Sequence, residues 1–408
     1  MPAMNSPSSP RRVGLWLIGA FGGVGTTITL GLSAMARGKR PTTGLVTALP
    51  LFQGLDLPEP GAFIVGGHDI RQGSFAASAE EFRTNSGVFD ADLIAACRED
   101  LDAASARVKP GTKLGAGGAI DKLGTWGDNA PARTAKEAVD RISADLRAFV
   151  EAEKIDHLIV LNVASTEPPF LTKDVHHSWD KLNAALATGG PELLPASSLY
   201  AVAALREGHT YVNFTPSLGA SIPALYELAE SKGALHAGKD GKTGETLMKT
   251  VLAPMFANRN LEVMSWVGHN IFGNRDGVIL DDPGNKSSKV ETKDKVVTQI
   301  LGYKPSTLVT IEYIPDMGDW KTAWDHIHFS GFLGCKMTLQ FTWQGCDSLL
   351  AAPLAIDMIR LAELEKKRGG KGLMRHLASF FKGPEGVEEN DFFKQFTMLE
   401  NYVAKAKK

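Results

Sequence analysis

The sequence predicts an α/β protein whose first part is a doubly wound parallel sheet and whose later part is a smaller, sheet-rich α+β segment. Three observations carry this. A short apolar run at 13–18 leads through a glycine-rich turn into a helical pattern. Apolar runs and helical patterns then keep alternating until about Thr246, after which β-branched and aromatic runs take over. With 408 residues, 43% of them hydrophobic, the chain can bury more than one domain core.

The first ten residues, rich in Pro and Ser, are expected to be disordered. Arg11-Arg12 ahead of an apolar run has the form of a twin-arginine export signal, but glycines at 19–25 interrupt the run and no small-residue cleavage site follows. A cytoplasmic protein is expected, since no apolar stretch is long enough to span a bilayer. Formal charge is −2, with no single-sign block beyond Lys405, Lys407 and Lys408, which points away from nucleic acid and anionic membranes as partners. Cys97, Cys335 and Cys346 are too few and too scattered for a disulfide framework or a zinc cluster.

The turn Gly19-Ala-Phe21-Gly22-Gly23-Val24-Gly25 lies between the first strand and a helix over 26–37. Such glycines let a pyrophosphate approach the backbone at a helix N-terminus; the spacing departs from Gly-x-Gly-x-x-Gly, and a merely tight strand-to-helix turn is the alternative. A second strand is predicted at 44–49, followed by a Pro/Gly-rich excursion to Gly61. Asp69 is then the nearby candidate for a ribose partner, or else the N-cap of a helix over 70–72. Residues 78–150 read as amphipathic helices around a glycine-rich loop at 111–118. A helix at 143–154 feeds a buried strand at 157–163, closed by Ser165 and Thr166 at its carboxyl end. A strand at 210–214 and a helix at 221–232 continue the alternation.

The loop Gly238-Lys-Asp240-Gly-Lys-Thr243-Gly244-Glu245-Thr246 precedes a helical run at 247–255. Converging N–H groups, threonine hydroxyls and a helix start suit a phosphate ester, although a polar turn between strand and helix has the same composition. It is not a Walker A loop, because His236 stands where the leading glycine would be. Strands follow at 262–267, 307–314 and 337–343, with a charged segment at 285–295. A helix at 349–364, kinked or restarted by Pro353, stops at Gly369-Gly370, and another helix is read at 373–381. His326 and His328 share one face of a strand, but no motif supplies a third metal ligand and they read as structural; Cys346 reads as buried packing.

Taken together, residues 19–27, 66–69, 213–217, 237–249, 270–277, 286–295, 313–321 and 347–354 resemble the myo-inositol-1-phosphate synthase family in sequence and in order. The resemblance implies an NAD-dependent, redox-neutral isomerase that converts glucose 6-phosphate to inositol 1-phosphate. The steps implied are oxidation at carbon 5, enolisation, intramolecular aldol closure and reduction. It also implies a Rossmann-type sheet split in sequence: a first part at 1–246, an inserted α+β catalytic and tetramerisation domain at 247–350, and a return at 351–408. A homotetramer and a monovalent or divalent cation are further implications.

Site residues carry over by position in the matched motifs. Gly19, Phe21, Gly22, Gly23, Val24, Gly25, Asp69, Ser165, Thr166, Asp240 and Asp347 are expected at the cofactor. Thr243, Gly244, Glu245 and Thr246 are expected at the substrate phosphate, and Lys289, Lys293, Lys321, Lys382 and Asp276 at the chemistry. Lys289 is assigned to oxygen 5 as acid/base with Lys382 as its electrostatic support, and Lys321 and Lys293 to oxygen 1 and the phosphate. Lysines crowded beside other cations are expected to have depressed pKa values. Asp240, Asp276 and Asp347 match carboxylates that orient the nicotinamide, bind a cation or pair with the lysines. Departures are His68 before Asp69 and the run Asn162-Val-Ala-Ser-Thr166, where eukaryotic members carry tryptophan-containing variants. Alternative readings are a sugar-phosphate dehydrogenase, a cyclase acting on another hexose 6-phosphate, or a catalytically silent nucleotide-binding scaffold.

Overall fold

The structure is a computed structural model that describes residues 11–126, 132–273 and 296–408. The expected disorder of the first ten residues, the charged segment at 285–295, and Asp276, Lys289 and Lys293 lie outside the described residues.

Among the described residues the strands form two sheets. The larger has seven strands: β1 (Val13–Ile18), β2 (Phe63–Asp69), β3 (Val108–Pro110), β4 (His157–Asn162), β5 (Thr210–Asn213), β6 (Leu235–Ala237) and the two-residue β11 (Gly372–Leu373), in the order β11-β6-β5-β4-β1-β2-β3. Every pairing in it is parallel. β1 and β4 are buried along their whole length, as unbroken apolar runs covered on both faces must be. Strand order reverses between β4 and β1, so their carboxyl ends splay apart and open a crevice.

Helices cover both faces. α1 (Gly23–Ala36), α2 (Phe75–Ser86), α3 (Ala91–Ala96) and α4 (Arg98–Ser105) come before the short α5 (Gly118–Asp121). α6 (Ala135–Glu153), α7 (Trp179–Leu186), α8 (Ala196–Arg206) and α9 (Pro223–Lys232) follow. α6 begins with a capping box in which Thr134 and Glu137 each satisfy the other's backbone N–H. It ends at Lys154, whose φ of 51° is the left-handed stop.

The second sheet has the order β10-β9-β7-β8, from β7 (Glu262–Phe272), β8 (Ser306–Tyr313), β9 (Trp320–Ser330) and β10 (Lys336–Cys346). One face packs Val263, Trp266 and Ile327 against Ala253 and Phe256 of α10 (Gly244–Asn258). The chain then returns through α11 (Asp347–Lys367) and β11 to the first sheet and ends in α12 (Phe392–Ala406). α12 is capped by Asp391, which accepts from the N–H of Phe393 and Lys394.

Four expectations need correction. The strand read at 44–49 is a turn with a 3-10 helix at Val46–Ala48. The buried Asp357 carboxylate of α11 takes the N–H groups of Val46 and Thr47 at 2.6 and 2.9 Å, so the ladder donors are spent elsewhere. The helix read at 373–381 is a 3-10 turn at Arg375–Phe380, because the N–H groups of Gly372 and Met374 donate to Ala234 and His236 as sheet edge. β9 is a full strand, and of it the sequence reading had only the stretch bearing His326 and His328; its polar residues on the open face hide the pattern. Finally, α12 was not anticipated at all.

Candidate active site

The glycine turn closes the N-terminal side of the crevice. Gly19 has φ +81°, and a Cβ there would lie 2.8 Å from the Ala164 backbone, so only glycine lets the turn cross the end of β4. A Cβ on Gly25 would lie 2.4 Å from the Ala20 carbonyl oxygen. Gly22 is the N-cap of α1 and offers no side chain to the first N–H groups of the helix, and Gly22, Gly23 and Val24 line the crevice.

Asp69 ends β2 and braces this turn. Its carboxylate accepts from the N–H of Phe21 at 2.7 Å and of Arg71 at 2.8 Å, while the Arg71 guanidinium donates to the Phe21 carbonyl at 2.8 Å. Burial raises the Asp69 pKa, and Arg71 and the two N–H donors offset part of that rise. There is no helix at 70–72 for Asp69 to cap. Phe21 itself is core: its ring meets Phe75 at 5.2 Å, and its N–H is spent on Asp69.

A cavity of about 320 Å³ occupies the crevice. Gly19, Gly22, Gly23, Val24, Asp69, Ser165, Thr166, Asp240, Thr243, Asp347 and Lys382 all line it. Phe21, Gly25 and Lys321 are not on its wall; Lys321 lies 3.7 Å from the Asp347 carboxylate and over the Phe272 ring at 5.3 Å. Lys382 donates to Asp240 at 2.8 Å. Burial alone would lower the Lys382 pKa, but the carboxylates of Asp240, Asp347 and Glu245 outweigh it and the pKa is raised. The expected depression therefore does not apply to Lys382, which stays a firmly held ammonium. In this loop it is Lys242 that is depressed, pushed to about 7 by burial and by the charge of Lys382.

The phosphate loop is also partly redrawn. Thr243 is the N-cap of α10 and lines the cavity, and the following N–H groups open the helix. The carboxylate of Glu245, by contrast, is buried under the helix against Lys249 at 2.7 Å, with both side chains at most 2% exposed. Glu245 can thus serve a phosphate only through its backbone. Thr246 is buried as well.

The sequence reading gave no role to several groups. Asp319 accepts from the N–H of Ser348 at 2.9 Å, from its hydroxyl at 3.0 Å and from the Cys346 thiol at 2.8 Å, which ties the start of β9 to the start of α11. Cys346 is therefore a hydrogen-bond donor and more than packing. A Cβ on Gly23 would come within 2.3 Å of the Ser348 hydroxyl, so α11 abuts the glycine turn directly. His326 lies beside Trp324, with ring centroids 6.1 Å apart. Among the described residues no group of three His, Cys, Asp or Glu side chains is placed to hold a metal.

Glu167, also on the cavity wall, accepts from the N–H of Ser197 at 2.7 Å and its hydroxyl at 2.5 Å, near the start of α8. Burial raises its pKa to about 7, with the Ser197 bonds offsetting part of the shift. The folded state thus keeps a proton that the unfolded chain releases above its ordinary 4.5, and this group's contribution to stability falls as pH rises from there to about 7. Glu167→Gln should melt with the parent at about pH 5 and above it at about pH 8. A melting difference that does not change with pH would sink this assignment.

Comparison with known proteins gives three findings. The profile of the myo-inositol-1-phosphate synthase family matches residues 13–404. Inositol-3-phosphate synthase 1 of Bacteroides thetaiotaomicron is 32% identical, over 95% of this chain and 94% of its own length. Two solved structures share the architecture. Inositol-3-phosphate synthase of Caenorhabditis elegans has a TM-score of 0.86 at 25% identity, covering 98% of this chain and 86% of that one. A myo-inositol-1-phosphate synthase-related protein of Thermotoga maritima has a TM-score of 0.78 at 26% identity, covering 97% and 99%.

Proposed function

Because the chain belongs to the myo-inositol-1-phosphate synthase family, we propose that it converts glucose 6-phosphate to inositol 1-phosphate in the crevice of the larger sheet. The enzyme is an isomerase of the inositol-3-phosphate synthase type and uses NAD. The observation that carries the reading is the meeting of two lysine–carboxylate pairs, Lys382–Asp240 and Lys321–Asp347, at a cavity whose other wall is the glycine turn.

The turn suits NAD: the uncapped start of α1 offers N–H groups to a pyrophosphate, and glycines leave its approach clear. When bound, NAD supplies a hydride acceptor that later returns the hydride, so no net redox change remains. The chain's own residues do the rest. Lys382, kept protonated by Asp240, stabilises negative charge that develops on a substrate oxygen and supports the acid/base group at oxygen 5, assigned to Lys289. Lys321 serves oxygen 1, with Lys293 toward the phosphate, and Asp347 orients Lys321 and the nicotinamide face. Asp276 is assigned to the same set, paired with the lysines or with a cation. Ser165 and Thr166, at the carboxyl end of β4, complete the cofactor wall. The phosphate takes the start of α10 at Thr243–Thr246, through hydroxyls and backbone N–H groups.

The test is incubation with glucose 6-phosphate and a catalytic amount of NAD. Periodate-labile phosphate should accumulate without NADH absorbance. NADH in step with substrate loss would mean a dehydrogenase, and neither signal a silent scaffold.

The proposed division is 1–246, 247–350 and 351–408. It is supported by β11, which follows the second sheet in sequence yet pairs with β6 of the first. A homotetramer is part of the reading. By register Trp324, Leu308 and Ile271 share the outer face of the second sheet, where they are 37%, 52% and 37% exposed, a face suited to a second copy. Light scattering should give the mass of four chains; a fully active monomer would refute it. No helix among the described residues is long and apolar enough to cross a membrane. Action in the cytoplasm belongs to the same proposal and is tested by cell fractionation.

A further inference from the structure

Lys242 sits in the middle of the phosphate loop, yet it is only 2% exposed. Its ammonium turns away from the cavity and donates to the side-chain oxygen of Gln395, which is 0% exposed, in the first turns of α12. The amide nitrogen of Gln395 donates to the Glu389 carbonyl at 2.5 Å, which fixes the amide with its oxygen toward the lysine. The start of α12 is held in turn by the Asp391 cap. The backbone beside Lys242 is pinned too: Asp240 donates to Thr215 at 2.9 Å, Gly241 to Phe214 at 2.8 Å and Lys242 to Phe380 at 2.8 Å. Asp240 and Thr243, both on the cavity wall, flank this anchor within two residues.

We propose that Lys242 and Gln395 are a positioning pair that sets the height of Asp240 and Thr243 in the cavity, which makes the C-terminal helix part of the substrate seat. The physical reason is that a buried amine, charged or neutral, is tolerated only where an acceptor meets its N–H groups, so its place tolerates little displacement. A methionine there would pack equally well and fix nothing. Burial and Lys382 hold this lysine near 7, in keeping with a dry site beside the catalytic pair. The proposal rests on the reading that the substrate phosphate lies at Thr243–Thr246.

The experiment compares Lys242→Met, Gln395→Leu, their double variant and Gln395→Glu, each as full-length protein with NAD, using glucose 6-phosphate as probe. Each single variant should raise the substrate KM by about 10-fold or more, the usual effect of losing a hydrogen bond to a charged group, with NAD affinity unchanged. The double variant leaves neither a buried amine without its acceptor nor a buried amide oxygen without its donor, so its melting temperature should recover while its KM stays high. Gln395→Glu keeps the acceptor for Lys242 but gives up the bond to the Glu389 carbonyl, so its KM should lie between those of the parent and Gln395→Leu. Recovery of KM together with melting temperature in the double variant would reduce the pair to packing and overturn the proposal, as would folded single variants with parental KM and kcat. If the single variants do not fold, the double variant decides alone. Thr243→Val with Thr246→Val separates the two readings. A raised KM there, with none in the pair variants, sinks the positioning and keeps the seat; no change there removes the seat and the proposal with it.

Discussion

Lys382→Met should lower kcat by about 10²–10³-fold, the loss expected when one preorganised donor to developing negative charge is removed from a closed site. The same change should destabilise the fold. The Lys382 side chain is 17% exposed and that of Asp240 9%, so the variant strands a largely buried carboxylate, at a cost of about 3–5 kcal/mol. The two effects separate in Lys382→Met with Asp240→Asn, where the stranded charge is gone. That double variant should regain most of the melting temperature and none of the rate. If kcat returns with stability, Lys382 acts through the fold alone. If Lys382→Met turns over at the parental rate, the lysine does not face the reacting oxygens.

The second large effect is on stability. Lys249→Met removes the ammonium 2.7 Å from Glu245 at a site where neither side chain is more than 2% exposed, and should cost about 3–5 kcal/mol. Glu245 lies in the first turn of α10, where the helix dipole favours its charge but does not replace a partner 2.7 Å away. Adding Glu245→Gln should recover most of the loss, since a neutral amide needs no counter-charge. Denaturant titration of the four proteins gives the coupling directly. A Lys249→Met protein within about 1 kcal/mol of the parent would show that the carboxylate finds compensation elsewhere. The prediction also bears on function: in the proposed seat the phosphate takes the N–H groups of Gly244 and Glu245, so a shift of this turn should raise the substrate KM.

How much of this was legible in the sequence depended on how far each signal reaches along the chain. The glycine turn could be read because its requirements are local: Gly19 and Gly25 admit no Cβ for reasons within the turn and the adjoining strand end. β4 was equally legible from an unbroken apolar run, and α6 in part from a helical stripe that was read from 143 although the helix begins at Ala135. The strand read at 44–49 failed because its amides answer to Asp357, about 310 residues away, which no local window contains. The strand β9 was hidden for a related cause: its open face is polar, and its alternation makes sense only once its neighbours β7 and β10 are in place.

By itself, then, the sequence determined the fold class, the glycine turn and, through the order of its motifs, the family. Local periodicity and motif order suffice for those. Only the tertiary structure decided who stands beside whom. Lys382 meets Asp240 across 142 residues, Lys242 meets Gln395 across 153, and Asp319 reaches Ser348 across 29. The protonation of each lysine follows from those neighbours. Lys382, beside carboxylates, has its pKa raised, and Lys242, buried beside Lys382, has it lowered to about 7. A pKa is set by the charges and water within a few ångströms, and that distance is a property of the folded chain.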